Sequence, residues 1–179
     1  MDERFKWLTP AAALLAAAPC SYATTYLSVT QAQKEAFPDA DQFVSNNIIF
    51  TSAQVAAIQS ASGQKVMSRG QQVWKAARDG KLLGYFVLDY VIGKHLAIDY
   101  AVALNPSGAV RQVQILTYRE SYGGEIGNAD WRKQFVGKTA RSRLSLNDDI
   151  RNISGATLSS RHVTEGIKRI LATYEVCLK

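Results

Sequence analysis

Four segments with strand character follow one another between residues 72 and 118, separated by tight turns. Asp79-Gly80, between the first two segments, favours the positive φ angles of a two-residue hairpin. Asn105-Pro106-Ser107-Gly108 is a second turn signal, before the last segment. Strands joined by such short turns pair with their neighbours in sequence, so this stretch predicts an antiparallel meander. The segments are Gln72–Arg78, Lys81–Ile92, Leu96–Leu104 and Ala109–Tyr118.

Helical signals lie on both sides of the meander. Before it, a short helix is predicted over Ser28–Ala36 and a strand over Phe43–Phe50. Ser52 then caps a helix that closes at Gly63. After the meander come a short helix over Ala129–Phe135 and a long final helix. The apolar stripe of the final helix consists of Val163, Ile167, Ile170, Leu171 and Tyr174. The pattern predicts an α+β domain, with an antiparallel sheet, flanking helices and a long C-terminal helix.

The first 23 residues have the three-part pattern of a secretory signal peptide. A short charged start precedes the apolar stretch Leu8–Pro19, and Ser21-Tyr22-Ala23 offers small residues at a cleavage site. The apolar stretch is shorter than the roughly 20 residues that span a bilayer. We therefore predict a signal peptide over 1–23 and one domain over 24–179, exported to the periplasm or the outer face of the cytoplasmic membrane. A buried helix of the mature domain and an uncleaved membrane anchor are the alternatives.

The excess of positive charge is confined to the C-terminal part of the chain. The 179 residues include 21 Lys and Arg against 15 Asp and Glu, a formal charge of +6. Residues 131–179 hold ten basic side chains against four acidic ones, and the rest of the chain is balanced. A basic patch needs a partner in its own compartment, so export argues against nucleic acid and for another anion.

The composition also excludes several classes of protein. A hydrophobic content of 47% is too high for a disordered chain. Two cysteines and two histidines are too few for a disulfide scaffold or the usual four-ligand zinc site. The sequence has no G-x-G-x-x-G nucleotide fingerprint after a strand and no haem or iron–sulfur ligand set. We therefore predict no metal site.

Ser154-Gly155-Ala156-Thr157 stands directly before the final helix. The start of a helix leaves backbone N–H groups unpaired and carries positive partial charge, which suits a phosphate. A glycine there lets the backbone approach a ligand closely. From spacing alone, hydroxyl groups at this position more often cap the helix, so both interpretations stay open.

Three segments together resemble the FMN-binding domain family. Residues 153–160, Ile-Ser-Gly-Ala-Thr-Leu-Ser-Ser, are similar to its flavinylation motif. Residues 120–124, Glu-Ser-Tyr-Gly-Gly, stand where the family has Glu-Thr-Pro-Gly-x-Gly. Trp131 precedes Gln134-Phe135-Val136-Gly137-Lys138, which is similar to the family's Gln-Phe-x-Gly-Lys. The family includes flavin subunits of the sodium-translocating NADH:quinone reductase and of the Rnf electron-transport complex.

The resemblance implies that Thr157 carries FMN through a phosphoester bond, installed by a flavin transferase that uses FAD. The serines of the motif either donate hydrogen bonds to phosphate or ribityl oxygens or cap the helix. Glu120 binds a ribityl hydroxyl, orders its loop, or is a solvated charge at a strand end. Tyr122 either stacks on the flavin ring or is an ordinary turn residue. Lys138 either faces the phosphate or is solvated. The candidate cofactor-binding residues are Thr157, Ser154, Gly155, Ala156, Ser159, Ser160, Glu120, Tyr122, Gly123, Gly124 and Lys138.

The function implied by the resemblance is that of an exported flavoprotein that carries electrons between redox partners. We expect a carrier rather than a self-contained oxidoreductase, because the flavin supplies the redox chemistry and the chain shows no nicotinamide site. Its partners are then the flavin transferase and a membrane or periplasmic redox protein, which the charge predicts to be acidic. A reversible FMN-binding protein or flavin-dependent reductase is one alternative. A secreted binding or structural module without a cofactor is another.

Overall fold

Seven strands within residues 23–120 and 122–179, the part of the chain that the structure describes, form one antiparallel sheet. The structure is a computed structural model. The strands are β1 (Thr24–Thr25), β2 (Gln42–Ser45), β3 (Ile48–Ile49), β4 (Gly70–Arg78), β5 (Lys81–Ile92), β6 (Ala97–Leu104) and β7 (Val110–Tyr118). Their order across the sheet is β1-β7-β6-β5-β4-β2, and β3 also pairs with β4.

In this part of the chain, two helices lie between the early strands of the sheet and the others follow its last strand. They are α1 (Val29–Ala36), α2 (Ser52–Ser62), a 3-10 helix (Gly124–Gly127), α3 (Ala129–Lys133) and α4 (Thr157–Cys177). None of these helices has both the length and the apolar character that crossing a bilayer requires. The predicted signal peptide, residues 1–23, lies outside the described residues except for Ala23.

The predicted meander is confirmed. The strands β4, β5, β6 and β7 each pair antiparallel with the next one in sequence. In the turn between β4 and β5, Asp79 has a φ of 49° and Gly80 a φ of 75°, the positive values that this dipeptide favours. The α+β class and the long C-terminal helix are confirmed as well.

The long helix α4 packs against one face of the sheet. The five residues of its predicted apolar stripe are each at most 4% exposed. They meet the residues of β6 that point to this face, Ile98, Tyr100, Val102 and Leu104. The opposite face packs against α1 through Ala32, Ala36 and Phe37. Because one face of α4 is buried from Ser159 to Tyr174, the core holds the start of the helix, and with it Thr157, in place.

One predicted strand is interrupted. The segment Phe43–Phe50 forms β2 and β3, with two asparagines between them. The side-chain Oδ1 of Asn47 accepts a hydrogen bond from the N–H of Val73 at 3.1 Å, where a strand would offer a backbone carbonyl. A side chain that replaces the backbone in the ladder ends regular pairing at that point.

Two helix boundaries also differ from the predictions. The cap of α2 is Thr51 rather than Ser52, and Thr51 and Gln54 form a complete capping box. The predicted left-handed closing residue Gly63 is confirmed, with a φ of 66°. The short helix α3 ends at Lys133, two residues before the predicted Phe135, although the Phe135 side chain remains fully buried.

Candidate functional site

The loop after β7 and the start of α4 line one cleft, although about 30 residues of sequence separate them. The cleft has a volume of about 650 Å³, within the range of roughly 300–1,000 Å³ that is typical of small-molecule sites. Six of the eleven predicted cofactor-binding residues line it, together with residues of the turn between β5 and β6 and of α4. The lining consists of Lys94, His95, Glu120, Tyr122, Gly155, Ala156, Thr157, Leu158 and Ser159.

The start of α4 differs from the starts of α1 and α2 because no side chain caps it. Ser28 and Thr51 cap the other two helices with complete capping boxes. Ala156 holds this position in α4, and no side chain among the described residues replaces the missing cap. The first hydrogen bond within α4 runs from the N–H of Ser160 to the C=O of Ala156, so the N–H groups of residues 157–159 have no acceptor in the helix. The positive end of this helix is therefore available to an anion.

Thr157 is the first residue of α4, and it is exposed to the cleft. Its Oγ1 accepts a hydrogen bond from Nδ2 of Asn152 at 3.1 Å. An amide donor orients the hydroxyl oxygen without using the hydroxyl proton. This contact therefore holds the Thr157 hydroxyl in place and leaves its proton and its second lone pair unused.

Gly155 and Ala156 are small for different reasons. Gly155 has a φ of 83°, a left-handed conformation that other residues rarely adopt. A Cβ atom added there would meet nothing within 4 Å, so the backbone conformation, and not crowding within the protein, requires glycine. Ala156 is 3% exposed and faces Gly123, where an added Cβ would lie 3.1 Å from the Ala156 Cβ. The loop after β7 therefore packs directly on the start of α4.

The three serines of the motif lie in three different environments. Ser154 is exposed in the turn before α4, and Ser159 lines the cleft although it is only 4% exposed. Ser160 is fully buried, and its Oγ has no hydrogen-bond partner among residues 23–120 and 122–179. The alternative that these serines cap the helix is wrong, because α4 has no side-chain cap.

Glu120 orders the turn between β5 and β6. Its Oε1 accepts hydrogen bonds from the N–H groups of His95 and Leu96, at 2.5 and 2.8 Å. Burial by itself would raise the pKa of Glu120, but these backbone donors lower it, and the pKa lies below its ordinary value. The carboxylate is therefore ionised at the rim of the cleft. Glu120 is therefore not simply a solvated charge at a strand end, and the segment that it orders is the turn between β5 and β6 rather than its own loop.

The glycine-rich loop presents an exposed aromatic ring. The side chain of Tyr122 is 86% exposed at the cleft. Its backbone is held in place, because the hydroxyl of Tyr118 donates a hydrogen bond to the Tyr122 C=O. Gly123 has a φ of 90°, and Gly124 begins the 3-10 helix. Neither glycine lines the cleft, so these two residues shape the loop and do not contact the cleft.

Lys138 does not line the cleft. Its Nζ pairs with Oδ2 of Asp149 at 2.9 Å, and the same carboxylate accepts hydrogen bonds from the N–H groups of Leu144 and Ser145. Lys138 therefore joins the segment after α3 to the loop before α4. Its position gives no support to the prediction that it faces a phosphate.

The carboxylate of Asp149 makes the stability of this loop dependent on pH. Burial alone would raise the pKa of Asp149, but the N–H of Ser145 and the Lys138 ammonium lower it to about 2. A pKa that folding lowers contributes stability above the unfolded value, and the contribution is lost as the pH falls towards about 2. We expect Asp149→Asn to reduce the free energy of unfolding at neutral pH by about 1 to 2 kcal/mol, and the difference to shrink near pH 2. Urea denaturation at both pH values measures this.

The neighbouring carboxylate provides a control for that experiment. Asp148 pairs with Arg143, and this pair is exposed, with side-chain exposures of 46% and 73%. An exposed pair contributes little, so Asp148→Asn should change the free energy of unfolding by less than about 1 kcal/mol. Equal effects of the two substitutions at neutral pH would contradict the role assigned to Asp149.

Sequence reasoning missed Tyr118 and Asn152. Tyr118 is the last residue of β7, and Ser159, which it meets, lies 41 positions further along the chain. Only the folding of the segment between them brings the two together. The available signal was a tyrosine at the core-facing end of a strand, where its ring is buried and its hydroxyl needs a partner.

Comparison with known proteins finds a family to which the part of the chain that holds the cleft is similar. Residues 93–172 match the family model of the FMN-binding domain. One subunit of the proton-translocating ferredoxin:NAD(+) oxidoreductase complex of Clostridium ljungdahlii is 32% identical over 107 residues, which cover 55% of this chain and 58% of that protein. One subunit of the Na(+)-translocating ferredoxin:NAD(+) oxidoreductase complex of Acetobacterium woodii is 23% identical over 156 residues, covering 82% of this chain and 73% of that protein. The chain thus spans a little over half the length of the first of these relatives.

The fold is similar to that of a solved subunit of an NADH-quinone reductase. This structure, from the Na(+)-translocating enzyme of Parabacteroides distasonis, has a TM-score of 0.51 and 15% sequence identity, and 83% of each chain is covered. The matched residues 93–172 include every residue that lines the cleft and all eleven predicted cofactor-binding residues. Residues 93–172, a little under half of the chain, are therefore similar to the FMN-binding domain family.

Proposed function

We propose that this protein carries FMN covalently on Thr157 and acts as an exported electron carrier. The uncapped start of α4 is the observation that carries the proposal. Three N–H groups without a helical acceptor and an exposed hydroxyl stand together at a cleft of suitable size, inside the FMN-binding domain. A phosphate on Thr157 would receive those N–H groups and the positive end of the helix.

Attachment uses Thr157 as the acceptor of a phosphoryl group. Its hydroxyl oxygen attacks the FMN-side phosphorus of FAD in the site of a flavin transferase. The new P–O bond forms as the diphosphate bond breaks, AMP leaves, and the hydroxyl proton passes to a base of the transferase. The contact from Asn152 places the attacking oxygen, and the exposure of Thr157 lets the transferase reach it.

The residues around the cleft then position the flavin. When bound, FMN supplies reversible electron transfer. The exposed ring of Tyr122 offers a stacking surface, and Glu120 holds the rim of the cleft through the turn between β5 and β6. The cleft is open to solvent at Tyr122, so one side of the site remains accessible to a partner protein. This arrangement suits a carrier, because electrons must both enter and leave at an exposed edge.

The partners follow from the relatives and from the charge. Both relatives are subunits of ferredoxin:NAD(+) oxidoreductase complexes, so we propose that this chain exchanges electrons with a membrane complex or a periplasmic redox protein. Export rests on the predicted signal peptide.

A basic groove beside Thr157 predicts an acidic partner. The groove has a volume of about 450 Å³, shares Thr157 with the flavin cleft, and includes Arg143, Arg161 and Lys168. Among the described residues, Arg161 and Lys168 form no ion pair. The three basic side chains of the groove stand against one acidic side chain of its lining, Glu165, so the groove is net positive.

Salt should therefore slow electron transfer to the physiological partner. Screening weakens attraction between a basic surface and an acidic one, so the second-order rate constant should fall as ionic strength rises. Replacing Arg161 and Lys168 together by glutamine should lower the rate several-fold at low salt and flatten its salt dependence. Stopped-flow measurement of flavin reoxidation gives both quantities. A wild-type rate that does not fall with salt would contradict an acidic partner.

The test of the function is the intact mass after denaturation. Protein co-expressed with a flavin transferase should be yellow, and its denatured mass should exceed that of the processed chain by one FMN less one water. Flavin that is released on denaturation would indicate reversible binding, as in a flavin-dependent reductase. A colourless protein from the same host would indicate a module without a cofactor, and either result would overturn covalent attachment.

A further inference from the structure

We propose that Tyr118 is a positioning residue of the flavin site, which fixes the gap between the glycine-rich loop and the start of α4. Tyr118 ends β7 and is 3% exposed. Its hydroxyl donates to the backbone C=O of Tyr122 and lies 3.1 Å from Oγ of Ser159. One buried hydroxyl therefore contacts both sides of the cleft.

The direction of these two hydrogen bonds follows from counting protons. A carbonyl only accepts, so the single proton of the Tyr118 hydroxyl goes to Tyr122. Burial raises the pKa of Tyr118, and the phenol accordingly keeps that proton. The remaining bond must then run from the Ser159 hydroxyl to the Tyr118 oxygen. The result is a relay from Ser159 through Tyr118 to the loop.

Packing around Gly123 shows how closely the relay holds the loop. A Cβ added at Gly123 would lie 2.6 Å from the Tyr118 hydroxyl oxygen and 3.1 Å from the Ala156 Cβ. The loop backbone thus rests on Tyr118 and on the residue before Thr157 at the same time. A shift of the phenol would move the loop relative to the attachment residue.

The relay also determines what Ser159 offers to a ligand. Its proton is used inside the protein, so the oxygen has only lone pairs left for the cleft. A phosphodiester has no proton to donate and does not match such a group, whereas a ribityl hydroxyl does. Ser159 therefore suits the sugar-alcohol chain of FMN and not its phosphate, which differs from the donor role predicted from the sequence. The role of Ser159 toward the ribityl chain and the effect of Tyr118 on the flavin rest on the proposed function. The hydrogen bond by which Tyr118 holds the glycine-rich loop does not.

Tyr118→Phe tests the proposal, with Tyr174→Phe as the matched control. Tyr174 is 4% exposed on the same helix as Ser159, and its hydroxyl donates to the C=O of Pro106 at 2.7 Å, far from the cleft. Each substitution removes a tyrosine hydroxyl that donates a hydrogen bond to a backbone carbonyl, so both should lower thermal stability by similar amounts. Only Tyr118→Phe should raise amide hydrogen exchange in residues 122–127, by about tenfold for the loss of one buried hydrogen bond. Only this variant should slow flavin attachment by the transferase, also by about tenfold.

The two measurements separate failure of this inference from failure of the proposed function. Unchanged exchange in residues 122–127 of Tyr118→Phe would overturn the hold on the loop. Increased exchange with wild-type attachment kinetics and an unshifted flavin absorption spectrum would overturn the positioning role. If the wild-type protein takes up no flavin, the proposed function fails, and the exchange experiment still decides whether Tyr118 holds the loop. Ser159→Ala should reproduce part of the effect, because it removes the other end of the relay.

Discussion

Thr157→Ala will abolish covalent flavin attachment and leave the fold intact. The substitution removes the only atom that can form the phosphoester in the proposed reaction, so the loss should be complete and not partial. The fold should tolerate it, because Thr157 is exposed and caps nothing at the start of α4. Alanine is also the better helix former, and the lost contact with Asn152 is a single surface hydrogen bond. We expect the free energy of unfolding to change by less than about 1 kcal/mol.

Two matched variants make this result specific. Thr157→Ser keeps a hydroxyl at the same backbone position and should retain attachment at a reduced rate. Ser154→Ala removes an exposed hydroxyl three residues earlier and should load flavin like the wild type. Denatured intact mass and flavin fluorescence of the separated protein measure attachment, and thermal unfolding measures stability. Flavin that stays bound to denatured Thr157→Ala would place the attachment elsewhere and contradict the proposal.

The parts of the fold that were predictable are those with local signals. The Asp79-Gly80 turn and the apolar stripe of α4 each determine a structure within a few residues, and both are confirmed. The cap of α2 could also have been predicted from the sequence. Thr51 has a glutamine, Gln54, three residues later and forms a capping box with it, whereas Ser52 has no such partner at that spacing. The break between β2 and β3 at Asn47 could not be predicted from the sequence. It depends on Val73, which lies 26 residues away in the sequence.

The same distinction applies to the candidate site. The motif with Thr157 and the loop with Glu120 were recognisable as short segments, and the structure places both at one cleft. The relay through Tyr118 joins residues 41 positions apart, and no local pattern encodes it. Lys138 shows the converse, because its motif suggests a cofactor contact whereas the fold places it against Asp149. Segment motifs therefore identify part of the lining of the cleft, and the tertiary structure determines which side chains reach it.

Arg169→Met will destabilise the protein by about 3–5 kcal/mol, the largest effect on stability that we expect from one substitution. Arg169 lies on α4 and pairs with Asp89 of β5 at 2.7 Å, with side-chain exposures of 9% and 10%. The hydroxyl of Tyr100, which is fully buried on β6, donates to the same carboxylate oxygen at 2.7 Å. Removing the guanidinium leaves a buried carboxylate with one neutral donor, and the desolvation of that charge is no longer compensated. The expected cost is a large fraction of the roughly 5–15 kcal/mol that stabilises a typical domain.

A double substitution distinguishes a buried charge from a loss of packing. Asp89→Leu combined with Arg169→Met removes both charges, so it should be less destabilising than Arg169→Met alone, as measured by urea denaturation of all variants. Arg143→Met provides the exposed control and should leave stability almost unchanged, since its pair with Asp148 is open to solvent. A double variant less stable than Arg169→Met would show that packing, and not the uncompensated carboxylate, dominates. Because the pair joins α4 to the sheet, and α4 begins at Thr157, the yield of flavin-loaded Arg169→Met should fall with its stability, whereas the flavin that is loaded should remain on Thr157.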